Sequence, residues 1–255
     1  MTDFVVIIPA RLASSRLPRK PLADIGGAPM VVRVAQKATA SGAQRVVVAA
    51  DDHEIVTACR AHGVECLLTS TTHPTGTDRI AEAAATLRLG PADIVVNVQG
   101  DEPLIPSSVI TQVATALAAH VDCAIATAAC PLLDADEFFN PNIVKVVVDQ
   151  RRRALLFSRA PIPWARDAFA VDRGRLPENL SARRHIGLYA YRTAFLLAYP
   201  QLARDPLEEL ESLEQLRALS HGYRIAVEDL DSPLPPGVDT AADLELARAA
   251  YASLR

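Results

Sequence analysis

Short, fully apolar runs alternate with helix-like segments through the first half of this chain. The runs predict strands at residues 4–9, 45–50, 64–68, 93–98 and 123–130. Between them the pattern predicts four helices. The first spans residues 29–41, and the second begins after Asp51 or Asp52, either of which could cap it. The third spans residues 77–89 with Thr77 as the cap, and the fourth spans residues 107–119. Runs this short and this uniformly apolar are typical of strands buried on both faces. They predict an α/β, Rossmann-like fold in which helices cover a mostly parallel sheet in three layers.

The pattern changes after about residue 131. Strands are predicted at residues 144–149, 154–157, 185–192 and 223–228, and helices at 206–220 and 239–253. Residues 165–184 are polar and lack periodicity, which indicates a long surface loop that is either mobile or covers a site. We therefore predict one domain over residues 1–255, with an antiparallel-containing elaboration at about 132–230 that supplies substrate contacts, a dimer surface, or both.

Composition excludes several classes of function. Half of the residues are apolar and the net charge is −4, which argues against duplex nucleic acid as the main partner. No stretch has the roughly 18 apolar residues of a membrane span, and the first apolar run lacks a basic segment before it. The four cysteines lack Cys-x-x-Cys spacing, which favours buried, reduced thiols. These features predict a cytoplasmic protein.

Four cations follow the first predicted strand within ten residues: Arg11, Arg16, Arg19 and Lys20. A loop at the carboxyl end of a parallel strand is a common ligand site in α/β proteins, and guanidinium and ammonium groups suit phosphates. Ser14 and Ser15 add hydroxyl groups. The loop predicts a polyanionic ligand such as a nucleoside triphosphate, although a solvated loop is an open alternative and Arg19 is the cation expected to face solvent. Neither a P-loop nor a dinucleotide motif is present.

Two carboxylates follow the fourth predicted strand, in the segment Gln99-Gly100-Asp101-Glu102. Mg²⁺ is commonly held by one or two carboxylates together with phosphates and water. Gly100 is expected to let a ligand come close, and the Gln99 amide could read a base edge. An ordinary strand-to-helix turn is the alternative.

A third carboxylate, Asp239, precedes the last predicted helix. Thr240 and Asp243 have the spacing of a capping box. If Thr240 is the cap, Asp239 lies just outside the helix and is free to bind metal. Helix capping by Asp239 itself is the alternative.

A predicted strand at residues 185–191 places its odd positions on one face. His185, Gly187, Tyr189 and Tyr191 would share this face, which suits a sugar, while the even positions would face a core. On the helix predicted at 206–220, Glu211 and Gln215 are one turn apart, with Glu214 beside them. A half-exposed strand and a solvated helix face are the alternatives, and Arg159 is a possible carboxylate binder.

Eight segments together make the resemblance to a known family specific. In order along the chain they are IIPARLASSRLPRKPL, HPTGTDRIAEA, VVNVQGDEPLIP, FNPNIVKVVVD, FSRAPIPW, RHIGLYAYR, LESLEQLRAL and GVDTAADLE. The chain resembles the 3-deoxy-manno-octulosonate cytidylyltransferases, or CMP-Kdo synthetases, over essentially its whole length.

This resemblance implies a Mg²⁺-dependent, typically dimeric enzyme that joins CMP from CTP to the sugar acid Kdo for lipopolysaccharide assembly. It implies that Arg11, Ser14, Arg16 and Lys20 hold the triphosphate, with Arg11, Lys20 and Asp101 catalytic. It further implies that Gln99 and the backbone at Ala10 recognise cytosine, and that Thr77 and Arg79 help to enclose the nucleotide. Asp101 and Asp239 would bind the metal ion, and five residues would bind Kdo. These five are Arg159, His185, Tyr189, Glu214 and Gln215.

Two positions depart from the family pattern. Arg19 stands where the family usually has glycine, and a bulky residue disfavours a positive φ. Either the loop does not need that conformation or Arg19 adds a phosphate contact. Ala241 replaces a proline at the start of the last helix, which should matter little. Three other functions stay open: activation of another sugar acid such as a sialic acid, a non-catalytic nucleotide-binding regulator, and a purely structural role.

Overall fold

The computed structural model describes residues 2–14 and 16–253, so Ser15 lies outside the described residues. Within this part of the chain the strands are β1 (Val5–Ala10), β2 (Arg45–Ala50), β3 (Glu65–Leu68), β4 (Ile94–Asn97), β5 (Ile125–Pro131), β6 (Lys145–Val148), β7 (Ala154–Ser158), β8 (Arg183–Arg192) and β9 (Ile225–Asp229). The α-helices are α1 (Met30–Thr39), α2 (His53–Ala61), α3 (Gly76–Thr86), α4 (Ser107–Ala119), α5 (Ala135–Phe139), α6 (Arg166–Val171), α7 (Thr193–Ala198), α8 (Pro206–Glu211), α9 (Gln215–Ser220) and α10 (Ala241–Ala252). Short 3-10 turns form at Lys20–Leu22 and Tyr199–Gln201.

The strands of the described residues form one sheet with the order β3-β2-β1-β4-β8-β5-β9. In that row β8 alone runs against the others, because it pairs antiparallel with both β4 and β5. β6 continues the sheet beside the first residues of β8, and β7 pairs with β6. The predicted α/β, Rossmann-like fold with antiparallel pairs in its second half is confirmed. The division into a single domain with a 132–230 elaboration stays a prediction, although β8 from that region lies inside the main row of strands.

Burial on both faces explains why β1 is apolar throughout. Val6 and Ile8 belong to one hydrophobic core together with residues of α1 and α4. Val5 and Ile7 belong to a second core, on the other face, with residues of α3 and α7. The sheet therefore lies between two layers, and the loops after its parallel strands gather at one edge.

Two predicted helices differ from the structure. Thr75, not Thr77, caps α3, because its hydroxyl accepts a hydrogen bond from the Asp78 amide. The helix predicted at 206–220 is broken into α8 and α9 at Ser212, which adopts a left-handed conformation with φ 52°. The break is held by the Leu213 amide, which donates to the Glu208 carbonyl.

The segment 165–184 is also more ordered than its sequence predicts. It contains the six-residue helix α6, whose Phe169 is 2% exposed. Phe169 packs against Phe138 and Phe139 and, with Ala182, forms a small core of its own. One buried aromatic residue on a short helix leaves no periodic signal, so the sequence pattern could not reveal it. Separately, none of the helices in the described ranges combines the length and the apolar character that a membrane crossing requires.

Candidate active site

Lys20, Asp101 and Asp239 converge from three distant segments, and we call this group the phosphate end of the site. Lys20 lies in the turn after β1, Asp101 in the turn after β4, and Asp239 just before α10. The Lys20 ammonium lies 2.6 Å from Asp101 Oδ2 and 3.0 Å from Asp239 Oδ1. The carboxylates are 32% and 44% exposed. Burial alone would lower the pKa of Lys20, but its hydrogen bonds and the charges of the two carboxylates outweigh burial and raise it.

Backbone contacts bring the two carboxylates together. The Val238 amide donates to the Asp101 carbonyl at 2.8 Å, which ties the segment before α10 to the turn after β4. Thr240 and Asp243 form the predicted capping box, so the Asp239 carboxylate is not used as a cap. Gly100 also has a role in the fold. A Cβ at this position would lie 2.8 Å from the Pro9 carbonyl, so the missing side chain lets the end of β1 come close, and the approach of a ligand to Gly100 stays a prediction.

These two carboxylates fit a Mg²⁺ ion. Both already point at one cation, the Lys20 ammonium, and carboxylate oxygens are the protein ligands that Mg²⁺ prefers. Across residues 2–14 and 16–253, no group of three or more His, Cys, Asp or Glu is placed to hold a metal. Two protein carboxylates completed by phosphates and water are the usual arrangement for this ion.

Among the described residues of the first loop, Arg16 also contacts the phosphate end, whereas Arg11, Ser14 and Ala10 have other partners. Arg16 Nη1 lies 3.1 Å from Asp239 Oδ2, and Arg11 Nη2 donates to the His73 carbonyl at 3.2 Å. Ser14 Oγ accepts a hydrogen bond from Leu17 N at 3.4 Å. The Ala10 carbonyl at the end of β1 accepts from the Asp51 amide at 3.3 Å.

The structure contradicts one of the two alternatives for Arg19, and the other stays a prediction. Its φ is 57°, so the loop does adopt the left-handed conformation although the residue is not glycine. Its guanidinium forms an exposed ion pair with Glu54 on α2, which fits the expectation that this cation faces solvent. The alternative that the loop does not need a positive φ is therefore wrong, and a phosphate contact of Arg19 stays a prediction.

Arg79 supports the first loop from inside the protein. Its side chain is 1% exposed and donates to Thr69 Oγ1 at 2.6 Å and to the Ser70 carbonyl at 3.1 Å. Its Nη2 lies 3.6 Å from Asp51 Oδ2, and Asp51 in turn accepts from the Leu12 amide at 2.9 Å. Arg79 thus reaches the first loop through Asp51, and its predicted contact with the nucleotide stays a prediction.

An inner cavity of about 390 Å³ brings five predicted site residues together. It opens between α3, β8 and the α8–α9 pair, and the predicted residues in its wall are Thr77, Gln99, Tyr189, Glu214 and Gln215. Thr77 Oγ1 donates to Glu214 Oε2 at 2.8 Å. Burial raises the pKa of Glu214, against the opposing effect of hydrogen bonds from Thr77 and Thr75.

Three further residues line this wall: Asn97 and Tyr199, which sequence reasoning missed, and Glu102, which it singled out only as one of the two carboxylates after the fourth predicted strand. Burial, together with the charge of Asp101, raises the pKa of Glu102 to about 7. Asn97 precedes Gln99 by two positions, so strand alternation could have found it. Tyr199 lies in a 3-10 turn outside every motif, and no local signal marks it. Its hydroxyl and the Gln215 Nε2 are both buried without a hydrogen-bond partner among the described residues, so both could bind a polar ligand or water in the cavity.

An outer cavity of about 310 Å³ adjoins the first and shares Gly187, Tyr189 and Gln215 with it. Its wall also contains His185 and the loop residues Asn142, Ile143 and Val144. The odd residues of β8 share one face as predicted, since the rings of His185 and Tyr189 lie 5.5 Å apart and those of Tyr189 and Tyr191 5.8 Å apart. Burial lowers the pKa of His185 to about 3, and its Nε2 lies 3.0 Å from Thr127 Oγ1. The residues His185, Tyr189, Glu214 and Gln215 are called the sugar end below.

Arg159 lies beside the outer cavity rather than in its wall. Its Nε donates to the Glu211 carbonyl at 2.7 Å and its Nη1 to the Pro141 carbonyl at 3.1 Å. Glu211 also binds the Arg159 amide and the Ser158 hydroxyl through its carboxylate. Glu211 therefore belongs to the frame of the site, and the expected solvated helix face is wrong for this residue.

Comparison with known proteins places this arrangement in context. The profile of a family described as "Cytidylyltransferase" matches residues 5–225. A solved structure of CMP:2-keto-3-deoxy-manno-octonic acid synthetase in complex with CTP shares 39% sequence identity, with a TM-score of 0.89 over 99% of this chain and 100% of the other. A cytidylyltransferase from Leptospira borgpetersenii serovar Hardjo-bovis (strain JB197) shares 16% identity, with a TM-score of 0.61 over 99% of this chain and 87% of the other, and this likeness extends to the fold alone.

Proposed function

The chain belongs to the cytidylyltransferase family, and we propose that it transfers CMP from CTP to the anomeric hydroxyl of Kdo, with release of pyrophosphate. The main observation behind the proposal is that the phosphate end and the sugar end adjoin the same cavity. Glu102, next to Asp101 of the phosphate end, lines the same cavity as Tyr189 and Gln215 of the sugar end. A triphosphate at one end and a sugar acid at the other would therefore meet near Asp101. The product would serve lipopolysaccharide assembly.

The reaction we propose is an in-line displacement at the α-phosphorus of CTP. The anomeric oxygen of Kdo forms a bond to the α-phosphorus and gives up its proton to water, while the bond from that phosphorus to the bridging oxygen breaks and pyrophosphate leaves. Arg11 and Lys20 would stabilise the negative charge that develops on the leaving group. The walls of the two cavities would hold the sugar in line with the phosphate, and positioning of this kind is a large part of catalysis.

Asp101 and Asp239 would hold Mg²⁺ in this proposal. The ion would supply neutralisation of the phosphate charges and would lower the pKa of the attacking hydroxyl. The Lys20 ammonium, which binds both carboxylates in this structure, would bind the phosphates of CTP. The presence of both carboxylates around one cation argues against a non-catalytic regulator, which would have no need of them.

We further propose a homodimer and a cytoplasmic location. Of the ten large apolar side chains that are exposed in the described part of the chain, seven fall within residues 132–230. These include Leu155 at 63% and Trp164 at 48% exposure, which is the kind of surface that a partner subunit covers. All four cysteines are free thiols, which fits a reducing compartment. Light scattering coupled to size-exclusion chromatography tests the dimer: a mass of one chain at micromolar concentration would contradict it.

Pyrophosphate release tests the proposed function directly. The purified protein is assayed with Mg²⁺, CTP and either Kdo or a sialic acid, and then with ATP, GTP or UTP in place of CTP. We expect release with Kdo and CTP, and much slower release with each of the other combinations. Absence of release with Kdo and CTP would overturn the proposal, and preference for the sialic acid would assign the enzyme to another sugar acid.

A further inference from the structure

Lysine is rare in this chain, and its use at position 145 points to a specific need. Of the 26 Lys and Arg residues, three are lysines, at positions 20, 37 and 145. Lys20 binds two carboxylate oxygens at the phosphate end, and Lys37 lies on α1. Lys145 lies on β6, is 0% exposed, and takes no part in the function proposed above.

The Lys145 ammonium has three hydrogen-bond donors and uses all of them on backbone carbonyls. Its Nζ lies 2.9 Å from the Asn140 oxygen, 2.6 Å from the Ile143 oxygen and 2.6 Å from the Arg159 oxygen. An ammonium group can point three donors at three converging oxygens, whereas a planar guanidinium fork cannot. The geometry therefore explains why this position carries lysine in a chain that otherwise prefers arginine.

These three carbonyls belong to two segments that frame the sugar end. Asn140 and Ile143 bracket the loop before β6, and Asn142 and Ile143 of this loop line the outer cavity. The Arg159 carbonyl follows β7. The same two segments meet a second time where Arg159 Nη1 donates to the Pro141 carbonyl. Lys145 thus connects the wall of the outer cavity to the backbone of the residue expected to bind the sugar carboxylate.

Burial of this charge is costly, and the site compensates for it only in part. Burial lowers the pKa of Lys145, the charge of Glu211 opposes this effect, and the charge of Arg159 adds to it. Glu211 is the carboxylate that binds the Arg159 amide. A buried charge is weak evidence for stability, and in some proteins such a charge serves to fix local geometry.

We propose that Lys145 is a positioning residue for the sugar acid: it holds the loop 140–144 and Arg159 in the relative arrangement that the sugar end requires. This inference rests on the proposed function and deepens it. It predicts that loss of the ammonium disturbs the sugar half of the reaction and spares the nucleotide half, because the contacts of Lys145 do not reach the phosphate end.

The test compares Lys145→Met and Lys145→Arg with the parent and with Lys37→Met, which makes the same chemical change on α1. A misplacement of about 1 Å can cost about 100-fold in rate, so we expect kcat/KM for Kdo to fall by about this factor in Lys145→Met. The KM for CTP should stay within about twofold of the parent, since a displaced sugar contact leaves the nucleotide contacts in place. Lys145→Arg should not restore Kdo turnover although it keeps the charge, and Lys37→Met should behave as the parent.

Equal losses toward both substrates, full activity of Lys145→Met, or rescue by Lys145→Arg would each overturn the proposal. If Lys145→Met fails to fold, Lys145→Gln replaces it with two amide donors, and the same split between Kdo and CTP is required. A parent protein that does not turn over Kdo with CTP would instead overturn the proposed function, and with it this inference. The two failures are therefore distinguishable in the same set of assays.

Discussion

The two ends of the site differ in how their polar groups are satisfied. At the phosphate end, Lys20, Asp101 and Asp239 keep partial exposure and neutralise one another. At the sugar end, His185 and Glu214 are desolvated enough to shift their pKa values, and the Gln215 side-chain Nε2 has no hydrogen-bond partner among the described residues. The first end can exchange one ionic partner for another at little cost, whereas the second holds desolvated polar groups that are costly to leave unpaired.

This difference suggests a division of work. Exposed ion pairs rearrange easily, so the phosphate end is suited to the changing charges of a displacement reaction. Buried and unpaired groups penalise the wrong occupant, because a ligand that fails to bind them leaves them unsatisfied. We therefore expect substitutions at the phosphate end to reduce turnover, and substitutions at the sugar end to alter sugar affinity and stability.

The largest effect should come from Asp101→Asn. The change removes the charge that both a Mg²⁺ ion and Lys20 would use, and loss of one such electrostatic element can cost about 10²–10³-fold in kcat. We expect a fall of about this size with an unchanged fold, since Asp101 is partly exposed. Steady-state assays measure kcat, and a thermal melt checks that the fold is unchanged. Asp231→Asn, at an exposed turn after β9, is the matched control, and a variant of Asp101 with unchanged turnover would remove its metal role.

The second prediction concerns His185 at the sugar end and the free energy of unfolding of the protein at acidic pH. The pKa of His185 is about 3 when folded, against 6.5 for the free side chain, so the unfolded chain binds the extra proton in this window. The neutral imidazole therefore makes its full contribution to the free energy of unfolding above about pH 6.5, and this contribution is lost as the pH falls toward 3. Between pH 7 and pH 5 the loss should be about 2 kcal/mol.

Urea denaturation of the parent and of His185→Gln at both pH values measures this loss. The variant has no imidazole to protonate, so we expect its stability to fall by about 2 kcal/mol less than that of the parent over the same range. His53→Gln, at the exposed start of α2, controls for removal of a histidine as such. Parallel curves for the parent and the His185 variant would contradict the burial of a neutral imidazole.

A smaller effect is expected for Tyr199→Phe. The buried hydroxyl has no partner, so its removal should leave the free energy of unfolding unchanged or raise it. If the hydroxyl instead binds the sugar, kcat/KM for Kdo should fall about fivefold, for a hydrogen bond worth about 1 kcal/mol. The control, Tyr251→Phe, loses a hydroxyl that donates to the Pro103 carbonyl at 2.9 Å and should be less stable. A Tyr199 variant that is destabilised with unchanged kinetics would make this residue structural.

The phosphate end was largely predictable because its residues lie in short motifs at strand and helix ends. Asp101 and Asp239 were identified from their positions after a buried strand and before a capping box, and the structure brings both to Lys20. The bounds of β2 and α4 likewise match the predicted ones, since long, regular patterns are the clearest local signals.

The sugar end was predictable only in part, because contacts distant in sequence shape it. Nothing local shows that Ser212 breaks a helix. The buried ion pair between Glu208 and Arg217 joins α8 to α9 across that break. The choice between Thr75 and Thr77 as the cap of α3 is equally invisible, because either hydroxyl could serve, and only the position of Glu214 shows that Thr77 is used elsewhere.

The smallest predicted effect separates the cost of the positive φ at position 19 from the contribution of the Arg19 side chain. Arg19→Ala and Arg19→Gly both remove the ion pair with Glu54, but only glycine adopts the positive φ of this position without steric cost. We expect the glycine variant to melt about 2–4 °C above the alanine variant, the shift that about 1 kcal/mol produces in a chain of this size. Because the guanidinium points toward α2, the KM for CTP should be equal in both variants and in the parent. A weaker KM for CTP in both variants would show that Arg19 leaves Glu54 to bind the triphosphate, and the phosphate end would then use four cations of the first loop rather than three.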